Sequence, residues 1–115
     1  MSCITYKDGY RYQLKRDYSL VIPVQPPRDI VLEFLSLSMD GTLFIRSGYA
    51  WDGPSGPTLD TRNFMRGSLV HDALYQLMRE GWLDPQQYRE PADRLLQQHC
   101  RADGMSAIRA WWVYQ

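Results

Sequence analysis

The chain has 115 residues and a mass of 13.5 kDa, which is room for one compact domain. Hydrophobic residues at 44% and charged residues at 23% lie close to globular averages and exclude a disordered or collagen-like chain. Lys+Arg 13 against Asp+Glu 13 cancel to zero net charge, spread evenly over both halves, so no basic stripe is available to a nucleic-acid backbone.

No apolar run approaches the ~20 residues that a membrane-spanning helix needs. No basic-then-apolar leader opens the chain either, and a soluble, unexported domain is the expectation. Cys3 and Cys100 sit near opposite ends without ligand spacing, which argues against a disulfide framework and suits a reducing compartment.

The first half reads as β-structure. Asp8-Gly9 and Asp40-Gly41 each stand between strand-like runs, a strong hairpin signal. Tyr10, Tyr12 and Leu14 alternate with Arg11, Gln13 and Lys15, the two-residue period of a half-buried strand. Tyr18, Leu20 and Ile22 repeat it up to Pro23, and Gln25-Pro26-Pro27 closes the strand. From Ile30 to Ser38 the apolar phase switches, with Ile30, Leu32 and Phe34 in one register and Leu35 and Leu37 in the other. That switch predicts a bulge, or a strand covered on both faces, with Thr42 to Arg46 as its hairpin partner.

The segment Gly48-Tyr49-Ala50-Trp51-Asp52-Gly53-Pro54-Ser55-Gly56-Pro57 places three glycines and two prolines in ten residues around one indole. Such a composition describes a shaped loop. Trp51 would anchor it, and Asp52 and Ser55 supply polar groups for ligation, general-base work, substrate contact or simple capping. A purely structural crossover with Trp51 in the core is the other reading.

The second half is helical. Asp60 or Thr61 caps a predicted helix from about Asn63 to Glu80, stopped by Gly81. Asp84-Pro85 with Gln87 opens a short helix, and Pro91 is expected to start another, from about Ala92 to Ala102. Ser106 to Gln115 has helical spacing and ends in Trp111, Trp112 and Tyr114. The expected fold is α+β: one domain of residues 1–115, with a small antiparallel sheet and the Pro/Gly loop in 1–57, packed against two to three helices in 58–115.

On a helical wheel, His71 falls inside the apolar face made by Phe64, Gly67, Val70, Leu74, Tyr75, Leu77 and Met78. An imidazole there is either a core histidine bonded to a backbone carbonyl or a functional group. Asp72 is its neighbour, and Asp93 lies at the edge of the apolar arc of Ala92, Leu95, Leu96 and His99. If the two helices pack face to face, His71, Asp72 and Asp93 make a three-ligand set for zinc, manganese or magnesium, with a position left for water. His99 is a possible fourth ligand or a packing residue. No phosphate-binding glycine loop, His-Glu-x-x-His or Gly-x-Ser-x-Gly motif is present.

Tyr49-Ala50-Trp51-Asp52-Gly53-Pro54-Ser55-Gly56-Pro57, followed by Gly67-Ser68-Leu69-Val70-His71-Asp72-Ala73-Leu74-Tyr75, resembles a domain family of unknown function from tailed bacteriophages and prophages. The resemblance runs from about Thr42 to Tyr114. It implies a phage or prophage origin, and it implies that Trp51-Asp52-Gly53, His71-Asp72 with Tyr75, and Ala92-Asp93 are the residues that recur. Family members often continue past the last aromatic segment, which implies that a chain ending at Gln115 is a short or truncated member. The cytoplasm of the bacterial host, or the virion, is the location implied.

Two functions follow as expectations. One is a metal-dependent hydrolase with His71, Asp72 and Asp93 as ligands, Asp52 beside the bound water, and Trp51, Ser55 and Tyr75 as loop or substrate contacts. The other is a non-enzymatic virion or host-interaction protein. There the aromatic segment around Trp111 and Trp112 docks a phage or host protein, or a second copy of the chain.

Overall fold

The computed structural model of the chain describes residues 6–7, 12–51 and 61–102. It is an α+β structure, with two antiparallel sheets in the N-terminal half and a packed pair of helices in the C-terminal half. The chain divides into two compact units, Met1–Trp51 and Asp52–Gln115.

In the first unit, β1 (Tyr6–Lys7), β2 (Tyr12–Leu14) and β7 (Ala50–Trp51) form a three-stranded sheet with β2 in the middle. β1 and β2 are antiparallel, with Tyr6 opposite Leu14, and the expected Asp8-Gly9 turn lies outside the described residues. A second sheet has the order β3-β6-β5-β4, made from β3 (Tyr18–Val21), β4 (Ile30–Val31), β5 (Leu35–Leu37) and β6 (Thr42–Ile45). Leu35, Leu37, Leu43 and Ile45 alternate inward and are buried, as the two-residue period requires.

The phase switch after Ile30 marks a reversal of direction. β4 and β5 are separate antiparallel strands, Ile30 opposite Leu37, and Leu32 N–H donates to Leu35 O across the turn. Neither a bulge nor a doubly covered strand is needed. The turn Leu32-Glu33-Phe34 carries no glycine, proline or asparagine, so its composition hides it.

The β5–β6 turn is the expected Asp-Gly turn. Asp40 Oδ1 accepts from Ser38 Oγ (2.6 Å) and Thr42 N–H (2.9 Å), and those bonds hold the Asp40 carboxyl below its ordinary pKa. Gly41 has φ +93°, and a Cβ there would stand 2.4 Å from the Ile22 carbonyl oxygen. That neighbour is backbone and cannot swing aside.

In the second unit, α1 (Thr61–Arg79) and α2 (Pro85–Ala102) pack against each other. Gly81 closes α1 with φ +85°; its N–H donates to Met78 O (3.1 Å) and Trp82 N–H to Leu77 O (2.8 Å), a Schellman stop. Asp84 caps α2 by accepting from Gln86 N–H at 3.1 Å.

α2 is one helix, not two. Pro91 lies inside it, although proline removes a backbone bond to the preceding turn. Tyr88, Ala92, Leu95, Leu96, His99 and Cys100 are all buried on one stripe that spans the proline, so packing overrides the local break. The expected third helix, from Ser106, lies outside the described residues.

Gly67 sets how closely the helices approach. A Cβ at this position would meet Leu96 Cδ1 at 2.9 Å, Cys100 Sγ at 3.2 Å and the Leu96 carbonyl oxygen at 3.4 Å. Gly67→Ala should change stability by no more than about 1 kcal/mol, because helix propensity gained offsets a small displacement of the Leu96 tip. Gly67→Leu should cost more than about 2 kcal/mol by overpacking, read as a fall in the urea midpoint. In the other unit, Gly41→Ala should cost about 1–3 kcal/mol from a left-handed backbone and the Ile22 clash. Wild-type stability in both Gly67→Leu and Gly41→Ala would contradict these contacts.

Candidate functional site

The close helix approach at Gly67 brings the next turn of α1 against Asp93 of α2. His71 Nε2 lies 2.7 Å from Asp93 Oδ1, and the Tyr75 hydroxyl donates to the same oxygen at 2.6 Å. His71 and Tyr75 are four residues apart on α1, so both point across one face, with ring centroids 4.2 Å apart and planes tilted by 33°. A carboxylate only accepts hydrogen bonds, so Nε2 is the nitrogen that carries the proton here.

Asp72 approaches the other side of the ring. Its Oδ1 is 4.0 Å from His71 Nδ1, too far for a direct hydrogen bond but near enough to act by charge. The imidazole therefore lies between two carboxylates, one at each nitrogen. Three of the expected site residues come together, but not as donors around one common point. Among the described residues, no group of three or more His, Cys, Asp or Glu is placed to hold a metal ion.

Exposure distinguishes this cluster from a core network. The side chains of His71, Asp72 and Asp93 retain 21%, 33% and 26% of their accessible surface, so the site opens to solvent. Burial on its own would lower the His71 pKa; the Asp72 and Asp93 carboxylates, one beside each ring nitrogen, outweigh it and raise the pKa above 6.5. Tyr75 is pushed above its ordinary value by burial and by its bond to Asp93, with the Arg89 guanidinium pulling back.

His99 behaves oppositely. It is buried on α2, its Nδ1 has no hydrogen-bond partner, and burial together with the charge of Arg66 lowers its pKa to about 4. It is a neutral packing residue, the blander of its two sequence readings. Ser68, also on the α1 stripe, is buried and donates to Met65 O at 3.2 Å.

Asp52 and Ser55 lie outside the described residues, as do Trp111, Trp112 and Tyr114. Trp51 ends β7 opposite Tyr12, is buried, and sits among the rings of Tyr12 (5.7 Å) and Tyr49 (6.5 Å). Arg89 is the neighbour that sequence reasoning passed over. Its position four residues before Asp93 on α2 was the signal available.

No helix of the described residues is long and apolar enough to cross a membrane. Compared with models of known families, with curated proteins and with solved structures, the chain finds no match.

The chain has two histidines, so its imidazole NMR spectrum separates the two environments directly. One ring should titrate above pH 6.5 and the other near 4. The linkage signs are opposite. His71, raised when folded, adds stability that is complete below pH 6.5 and lost as pH rises through its folded pKa. His99, lowered when folded, adds stability that is complete above pH 6.5 and lost as pH falls toward 4. His99→Leu should therefore raise stability at pH 5 more than at pH 8, measured by urea unfolding. Two rings titrating together near 6.5 would contradict both placements.

Proposed function

We propose that the helical unit carries a hydrolytic centre in which His71 is the acid–base group, in a domain of phage or prophage origin. The supporting observation is Asp93 Oδ1 held at once by His71 Nε2 (2.7 Å) and Tyr75 OH (2.6 Å) in a cluster open to solvent. The origin rests on the Trp51-Asp52-Gly53 and His71-Asp72 motif resemblance alone.

In this reading Asp93 keeps the proton on Nε2 and orients the ring, so Nδ1 is the nitrogen that exchanges protons. The raised pKa makes the ring a stronger base. Nδ1 takes a proton from an attacking water and returns it to the leaving group. Asp72, 4.0 Å from Nδ1, supports the positive charge that forms on the ring. Tyr75 locks the Asp93 oxygen in place and packs on the imidazole face.

A divalent cation, zinc, manganese or magnesium, is the second reading. It is favoured by a histidine nitrogen and a carboxylate oxygen only 2.7 Å apart on two helices. His71 Nε2 and Asp93 Oδ1 would then be ligands in place of the shared proton, while Asp72, at the opposite nitrogen, would remain outside that pair.

The test is a panel of peptide, phosphate-ester and carboxyl-ester substrates with tag-free protein, before and after chelation, together with elemental analysis. His71→Ala should lower kcat/KM by about 100- to 10,000-fold in a folded protein. Wild-type activity should rise with pH through a pKa above 6.5. Chelation that abolishes activity, with stoichiometric metal found, would select the cation reading. Full activity in a folded His71→Ala protein would overturn both.

A further inference from the structure

The residues of the acid–base cluster belong to a seam between the two helices that continues past it. His71, Tyr75 and Arg79 follow at four-residue steps along α1, and Pro85, Arg89 and Asp93 do the same along α2. His71 meets Asp93 at one end of the seam. At the other end, where α1 stops and α2 begins, Tyr75, Met78, Arg79, Pro85 and Arg89 line a depression of about 190 Å³. Tyr75 belongs to both ends, with its hydroxyl on the Asp93 oxygen and its ring centroid 4.2 Å from that of His71.

The wall of the depression is almost wholly apolar. It is made by Tyr75, Met78, Pro85 and the methylene stems of two exposed arginines, Arg79 and Arg89. The Tyr75 hydroxyl already donates its proton to Asp93 and has none for a ligand. Such a wall favours a hydrocarbon surface that leaves water, and it disfavours a charged group that would lose hydration without gaining a partner. The volume is near the ~150 Å³ at which an apolar cavity holds one benzene ring.

We infer that this depression is the substrate-recognition site of the His71 centre, and that it holds a neutral, phenyl-sized hydrocarbon group of a carboxylic ester or amide. The inference rests on the hydrolytic reading of His71 and names the substrate class of that centre. The Tyr75 ring packs on the imidazole and also lines the depression, so a group seated there lies one side chain from His71. A phosphate ester is disfavoured, because its negative charge would face an apolar wall. In the hydrolysis, a water oxygen bonds to the carbonyl carbon, and the bond from that carbon to the leaving oxygen or nitrogen breaks. His71 Nδ1 takes the water proton and returns it to the leaving atom.

The experiment is an NMR titration of the full chain with benzyl methyl ketone, which is neutral and not hydrolysed, and with acetone as the comparison lacking the ring. The ketone with the ring should give saturable amide shifts at Tyr75, Met78, Arg79 and Arg89, and acetone should not. Pro85→Glu puts a carboxylate on the apolar wall, at an exposed first-turn position that accepts acidic residues. It should weaken binding about tenfold or more, with the fold checked by circular dichroism. Arg89→Ser, which removes one stem of the wall, should weaken binding about threefold or more. Absent shifts, equal shifts with acetone, wild-type binding in both variants, or tighter binding of phenyl phosphate would overturn the site. His71→Ala separates the two readings, because it should abolish hydrolysis of benzyl acetate while ketone binding stays within about threefold. Ketone binding by a wild-type protein that does not hydrolyse benzyl acetate would keep the apolar site and overturn its assignment to a catalytic His71.

Discussion

One oxygen of Asp93 accepts hydrogen bonds from both His71 and Tyr75, and the helical unit is arranged so that it can. Those bonds cross from α2 to α1, so they demand a short interhelical distance one turn away. Gly67 supplies that distance by putting no side chain where Leu96 and Cys100 lie. The apolar stripe of α2 then runs unbroken past Pro91, because the burial of Tyr88, Ala92, Leu95 and Leu96 outweighs one missing backbone bond. Close packing and the polar cluster are consequences of one helix pairing.

The same pairing sorts the two histidines. Both sit on faces that helical periodicity marks as apolar, yet their surroundings differ in kind. His71 lies between two carboxylates at the solvent edge, and its protonated form is stabilised. His99 lies on the buried stripe with an unpartnered nitrogen and a positive neighbour, and its neutral form is stabilised. A charge-accepting imidazole that is partly exposed and oriented by a carboxylate is suited to proton transfer; a buried neutral one is suited to filling space.

Asp93 also shapes what surrounds it. By facing α1 it leaves Arg89 without the helical partner its spacing offers, and Arg89 lines a small depression with Met78, Arg79 and Pro85. Tyr75 belongs to both places, bonding the carboxylate with its hydroxyl and lining the cavity.

Local rules were enough for a good part of this. Two-residue alternation with Asp-Gly turns determined the β character of the first half, and Gly81 and Asp84-Pro85 determined where α1 ends and α2 starts, because these signals act within a few residues of themselves. Placing His71 and Asp93 on facing helix stripes was also legible, since helical periodicity is a one-dimensional property. The reversal at Leu32-Glu33-Phe34 was not, because its turn is held by Leu32 bonding to Leu35 and by strand pairing rather than by turn-forming residues. Nor was the continuity of α2 through Pro91, which only the buried stripe can decide. The sequence by itself determined which residue types share a face. The tertiary structure alone decided that Asp72 and Asp93 meet opposite nitrogens of His71, and that Tyr75 shares the Asp93 oxygen. Such distances depend on the angle and spacing of two helices, which Gly67 and its neighbours set through packing that no local pattern records.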